Sequence, residues 1–205
     1  MASAVVEAAN KTKGWLLANG VLSAEHFNPG LDVRQLEEAE RELGWRLPQE
    51  ARDLYQWHDG TWVPDGTLLS QRNFLPGYYF ISLREALDAK RLHEQMNEKM
   101  PADIRHVPGV LWQPDWLPVF DSGNNKHLAL DCSRATEHGA PIIDTDIETG
   151  LWTFYASLTA LMQTTARCCA EDAFFVQNGW VEVDQKRQAA IARTLNPGVE
   201  FWWFT

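Results

Sequence analysis

The stretch 112–131 constrains this chain more than any other part of it. It reads WQPDWLPVFDSGNNKHLALD. The run Leu117-Pro118-Val119-Phe120-Asp121 leads into Ser122-Gly123-Asn124-Asn125, residues that tolerate left-handed and Asx-turn backbone. Lys126-His127-Leu128-Ala129-Leu130-Asp131 follows, with Leu128 and Leu130 pointing the same way by the two-residue period of a strand. Two short apolar runs joined by such a turn predict a β-hairpin.

Helix signals surround it. Residues 1–20 suggest a helix ending at Asn19-Gly20. Asp32 with Gln35 three residues on is a capping box, Leu36, Ala39 and Leu43 form the buried stripe of the helix it opens, and Gly44 stops it. Pro48 suits the first turn of a further helix that carries Ala51, Leu54, Tyr55 and His58 on one face and ends at Asp59-Gly60. Residues 61–77 read as a loop and 78–81 as a short strand. Ser82 and Glu85 cap a helix running to about Lys99, which Pro101 ends. After the hairpin, 132–139 is polar and loop-like, and 141–144 is a third strand candidate. Ser157 caps a helix with a long apolar face, Leu158, Leu161, Met162, Thr165, Cys169, Ala173 and Val176. Asp184 caps a last helix reaching Leu195, and Phe201-Trp202-Trp203-Phe204 is apolar enough to dock on the body of the fold or on a partner. Helices around a small antiparallel sheet predict one α+β domain over 1–205.

Composition then excludes several function classes. A formal net charge of −10, from 28 acids against 18 Lys plus Arg, disfavours direct nucleic-acid binding, which needs a basic face. No uncharged apolar run is long enough to span a membrane. The first ten residues lack the basic-then-apolar pattern of a secretory signal, and three cysteines make no disulfide framework, so the expected location is the cytosol. Acids concentrate between 141 and 185: Asp144, Asp146, Glu148, Glu171, Asp172, Glu182 and Asp184 face Arg167 alone. This is either a solubilising surface or a patch that steers a basic protein partner. Most of the ten tryptophans are expected in the core, but Trp112, Trp116, Trp152, Trp180, Trp202 and Trp203 lie near turns or the chain end, where partly exposed rings serve as interface anchors; for each taken singly a structural role is the expectation.

The order of these motifs resembles a known family. Leu43-Gly44-Trp45-Arg46-Leu47-Pro48 is followed by Leu54-Tyr55-Gln56-Trp57-His58-Asp59-Gly60, then Ile81-Ser82-Leu83-Arg84-Glu85-Ala86, Trp116-Leu117-Pro118-Val119-Phe120, Leu128-Ala129-Leu130-Asp131 and Tyr155-Ala156-Ser157-Leu158. Over about 29–169 this is similar to the SMI1/KNR4 family of the SUKH superfamily. The tail 180–205, helical and aromatic, has no counterpart in that pattern. The resemblance implies a non-catalytic α+β protein without cofactors. Its bacterial members are immunity proteins that neutralise a polymorphic, contact-dependent or type VI-secreted toxin, for example a nuclease. Its fungal members are regulators of cell-wall synthesis. The compact chain fits the bacterial type, with a basic toxin as partner.

On that basis the expected partner-binding residues are Asp121, Asn124, Asp144, Asp146, Glu148 and Trp152, all near the hairpin end. Competing chemistry is weaker. His127, Cys132 and His138 lack the regular spacing of a zinc site and read as surface or turn residues. A metal-dependent enzyme using His127, Cys132 and Asp144 is the remote alternative. Adjacent Cys168 and Cys169 diverge by about 100° on a helix and cannot jointly clasp a metal. Asp144-Thr145-Asp146 has the Asp-x-Asp form of a metal-nucleotide site but no Rossmann pattern around it. His58, beside Asp59, reads as a structural histidine at a helix end.

Overall fold

The computed structural model describes residues 2–66, 68–101, 103, 111–124, 126–145, 151–177 and 179–204. In chain order the elements are α1 (Ala4–Ala18), β1 (Phe27–Pro29), α2 (Val33–Leu43), α3 (Gln49–Trp57), β2 (His58–Thr61), β3 (Asn73–Leu75), β4 (Tyr78–Phe80), α4 (Leu83–Lys99), β5 (Trp116–Asp121), β6 (His127–Asp131), β7 (Ile142–Asp144), β8 (Trp152–Tyr155), α5 (Leu158–Ala170), β9 (Phe174–Gln177), β10 (Trp180–Val183) and α6 (Gln185–Leu195). A one-turn 3-10 helix, Glu200–Trp203, follows. The fold class is α+β, as the pattern of elements predicts. No helix among the described residues is long and apolar enough to cross a membrane.

The predicted hairpin is β5–β6, the centre of a six-stranded sheet of order β3-β4-β5-β6-β7-β8. Every neighbouring pair is antiparallel. Residue alternation gives the sheet two different faces. Leu117, Leu128, Leu130 and Ile142 turn into the main core with Leu16 of α1, Leu54 and Tyr55 of α3 and Leu158 and Leu161 of α5. On the opposite face Trp112, Trp116, Ala129 and Ile143 form a second, smaller cluster. A third, Cys168, Cys169, Ala173, Phe174 and Ile191, ties α5 to α6 and the β9–β10 hairpin.

The helix starts follow their caps. Asp32 accepts from the backbone of Gln35 at 2.8 Å while Gln35 accepts from Asp32 at 2.9 Å, and Gly44 closes α2 at φ 80°. Ser82 and Glu85 repeat the device at α4, where Glu85 also grips Arg72 through two hydrogen bonds of 2.8 and 2.7 Å. Ser157 and Asp184 cap α5 and α6.

At α5 an acid from another helix joins the cap. Glu50, buried on α3, accepts from the backbone N–H groups of Leu158 (3.1 Å), Thr159 (2.8 Å) and Ala140 (3.1 Å) and from the Thr159 hydroxyl (2.8 Å). A carboxylate at the positive end of a helix satisfies donors that have no partner inside it. Gly139 makes the approach possible. Its φ is 118°, and a Cβ there would sit 2.3 Å from Glu50 Oε1.

Three expected elements are corrected. The face continued to Val176 breaks at Ala170, because Asp172 adopts φ 53° and the chain reverses into β9 and β10. α3 stops at Trp57, so His58, expected on the face of that helix, is instead its C-cap and at the same time the first residue of β2, paired with Pro29. The loop read over 61–77 contains β3, the edge strand, which pairs with β4.

Candidate interaction surface

The residues expected to bind a partner cluster by sheet topology. Asp121 ends β5, Asp144 ends β7 and Trp152 begins β8, so all three lie at the hairpin end of the sheet. Their burial divides them.

Asp121 is half-buried and committed to the turn. Its Oδ1 accepts from the Gly123 N–H at 2.6 Å, and its Oδ2 lies 3.4 Å from His127 Nε2. Burial pushes this carboxyl up, but hydrogen bonds from His127, Gly123 and Tyr79 and the His127 charge outweigh it, and the group is held below the usual carboxylate range. Asn124 is exposed at the tip. Asp144 is only 1% exposed and ion-paired with Lys126 at 3.3 Å. A side chain with no accessible surface cannot touch a partner, so Asp144 leaves the set. It is paired across the ladder with Leu128 and thus turns to the core face of the sheet. Asp146 and Glu148 lie outside the described residues.

Trp152 is 37% exposed and opens an aromatic cluster that the sequence did not join to it. Phe154, two residues on, stacks on Phe201 with centroids 4.0 Å apart. Trp152 lies 6.2 Å from both Phe201 and Phe204. Trp202 is buried, and its indole N–H donates to the Phe154 carbonyl. Arg193 of α6 fixes the turn by donating to the Trp202 carbonyl at 2.6 Å, with its guanidinium 5.2 Å from the Trp203 ring centroid. Of the terminal aromatics, expected to dock on the body of the fold or on a partner, Phe201 and Trp202 dock on the body. Trp203 is 65% and Phe204 76% exposed. Behind these rings lies a cavity of about 250 Å³ lined by Pro76, Tyr78, Leu128, Phe154, Phe201 and Trp202 among others.

The remaining tryptophans divide between the two roles. Trp112 and Trp116 are buried under the second face of the sheet, whereas Trp180 is partly exposed with Phe175 on the β9–β10 hairpin.

The residues of the enzyme alternative are not brought together. His127, read as a turn residue, is buried in β6 on the face opposite Asp144. Cys132 follows the far end of β6, roughly 15 Å from His127 by the strand rise. Burial, then the charges of Asp131, Asp115 and Glu50, pushes its thiol up to about 12, which removes the thiolate a nucleophile or metal ligand needs. Burial does the same for Cys168 and Cys169, both buried in the fold. His138 is exposed on a turn. Among the described residues no group of three or more His, Cys, Asp or Glu is placed to hold a metal ion.

Among curated proteins, none matches the chain. The family model described as the SMI1 / KNR4 family (SUKH-1) matches residues 30–162. That span begins just before α2 and ends within α5, so it includes the whole six-stranded sheet and the Glu50 clamp but not α1, the β9–β10 hairpin, α6 or the aromatic tail. The match covers well over half of the sequence, and the chain belongs to the SMI1/KNR4 (SUKH-1) family.

Proposed function

We propose that this protein is a cytosolic immunity protein that binds a basic toxin effector and neutralises it by occlusion. Family membership supports a protein partner of this kind. The observation that carries the reading is the aromatic cluster at the hairpin end. Trp152, Trp203 and Phe204 stand in water beside an apolar cavity, on a frame made rigid by Trp202 and Arg193. A large side chain left exposed forgoes roughly 1.5–3 kcal/mol of burial, and three together at one place make a natural anchor. The surplus of acids in the second half of the chain would speed the approach of a basic partner, and the rings would slow its release.

The test is co-expression with the products of neighbouring open reading frames. Rescue of growth from one of them, with co-purification of the pair, is the expected result. Failure of rescue with every adjacent toxin candidate would favour a regulatory scaffold of the fungal type.

A further inference from the structure

A second arrangement lies away from the hairpin end, where α1 crosses the β1–β2 ribbon. Lys13 Nζ is 3.0 Å from His58 Nε2. His58 Nδ1 is 2.9 Å from the Asn28 carbonyl oxygen, and a ring nitrogen facing a carbonyl must carry the proton. Nε2 therefore presents its lone pair, and Lys13 donates to it. The rings of Phe27 and Trp57 wall the amine, with centroids 4.5 and 5.7 Å from Nζ. Trp57 is held by its own N–H bond to Asn10 at 2.9 Å, and Phe27, Trp57 and His58 pack against one another at 4.5–5.2 Å. Among the described residues no carboxylate forms an ion pair with Lys13. The nearest in sequence to His58, Asp59, is turned away to accept from the Leu83 N–H at 2.7 Å.

We propose that the Lys13–His58 pair, walled by Phe27 and Trp57, is a covalent modification site that takes an acyl group from small activated acyl donors, namely acyl phosphates and acyl thioesters. An amine partly withdrawn from water and without a counter-ion loses its proton more readily than a solvated lysine, and the neutral imidazole is placed to take it. Burial does lower the Lys13 amine below its ordinary value. Burial first, and the Lys13 charge after the opposing Asn28 bond, lowers His58 too. In the reaction the Nζ lone pair attacks the acyl carbon and the N–C bond forms. The bond from that carbon to phosphate or thiolate breaks, and the leaving group departs with the electron pair. The proton lost from Nζ passes to His58 Nε2 and then to water. The product is a neutral amide whose acyl chain lies along Phe27 and Trp57. This inference does not depend on the partner-binding reading.

The folded protein treated with acetyl phosphate, digested and analysed by mass spectrometry over time, tests it. Lys13 is expected to acetylate roughly threefold or more faster than the exposed Lys11, Lys99 and Lys186. The advantage should disappear in denaturing urea and in the His58→Phe variant, which keeps the ring and removes the acceptor. If that variant does not fold, the comparison of folded with urea-denatured wild type decides alone. A Lys13 rate equal to or below that of Lys11 and Lys186 in the folded protein would overturn the proposal and leave the pair a packing contact.

Discussion

The indole of Trp202 donates its N–H to the backbone carbonyl of Phe154, so the C-terminal turn caps an oxygen of β8, the last strand of the sheet. Edge strands are templates for unwanted pairing, and covering them is a common protection. Replacing Trp202 with Phe keeps a ring and deletes the donor. The expected loss is about 1 kcal/mol of stability, with concentration-dependent association through the freed edge. Urea denaturation and light scattering measure the two effects. Unchanged values in both would show that β8 is shielded without this bond.

Partner binding should respond to the rings. Trp152→Ala, and Trp203→Ala with Phe204→Ala, are expected to weaken toxin binding by about 2 kcal/mol or more, some thirtyfold. Melting temperature should move little for the tail pair, because those side chains are exposed. Calorimetric titration of each variant decides. Charge reversal at Asp146 and Glu148 is expected to slow association at low salt and leave dissociation largely unchanged. Asp144→Lys should instead damage the fold, since that carboxylate is buried beside Lys126.

Glu50→Ala is expected to cost about 3 kcal/mol, because it leaves three backbone N–H groups near the start of α5 without their acceptor. Gly139→Ala should approach the same loss by pushing a Cβ into the carboxylate at a positive φ. Chemical denaturation of both variants provides the check, with a loss below 1 kcal/mol in both counting against the clamp.

Acid should loosen the second face of the sheet. His93 of α4 stacks on Trp112 at 4.4 Å and meets the edge of His127 at 5.1 Å. Burial first, then the His127 charge, lowers it to about 4, with Asp121 opposing. The unfolded chain takes a proton near pH 6.5, whereas the folded one resists until about pH 4. Its contribution is thus full above pH 6.5 and is lost as pH falls towards 4. Denaturation midpoints at neutral and acid pH, compared between wild type and His93→Phe, should show a shallower acid slope in the variant.

Local chemistry was legible in the sequence where it acts over a few residues. The capping pairs Asp32–Gln35 and Ser82–Glu85, the β5–β6 hairpin and the Gly44 stop all depend on near neighbours. The β9–β10 hairpin carries a local signal too, overlaid by a competing one. Asn178-Gly179 between two alternating runs is a strong hairpin signal, yet the apolar face of α5 ran on in phase through Ala173 and Val176 and masked it. Long-range placements were not legible. Asp144 looks like a loop acid until Leu128 fixes its face, and Glu50 looks like a surface acid until α5 arrives. Nor does an aromatic tetrapeptide say which of its rings will dock. That is set by Phe154 and Arg193, far away in the chain.

The Glu50 clamp also sets an order of events during synthesis. Its partner Leu158 lies 108 residues downstream. A nascent chain released up to β8 can pair the strands of the sheet but offers the buried Glu50 carboxylate only the Ala140 N–H, without the three donors that Leu158 and Thr159 supply. Stability should therefore arrive late and abruptly, as the first turn of α5 clears the ribosome, and fragments ending before that turn should be degraded instead of accumulating.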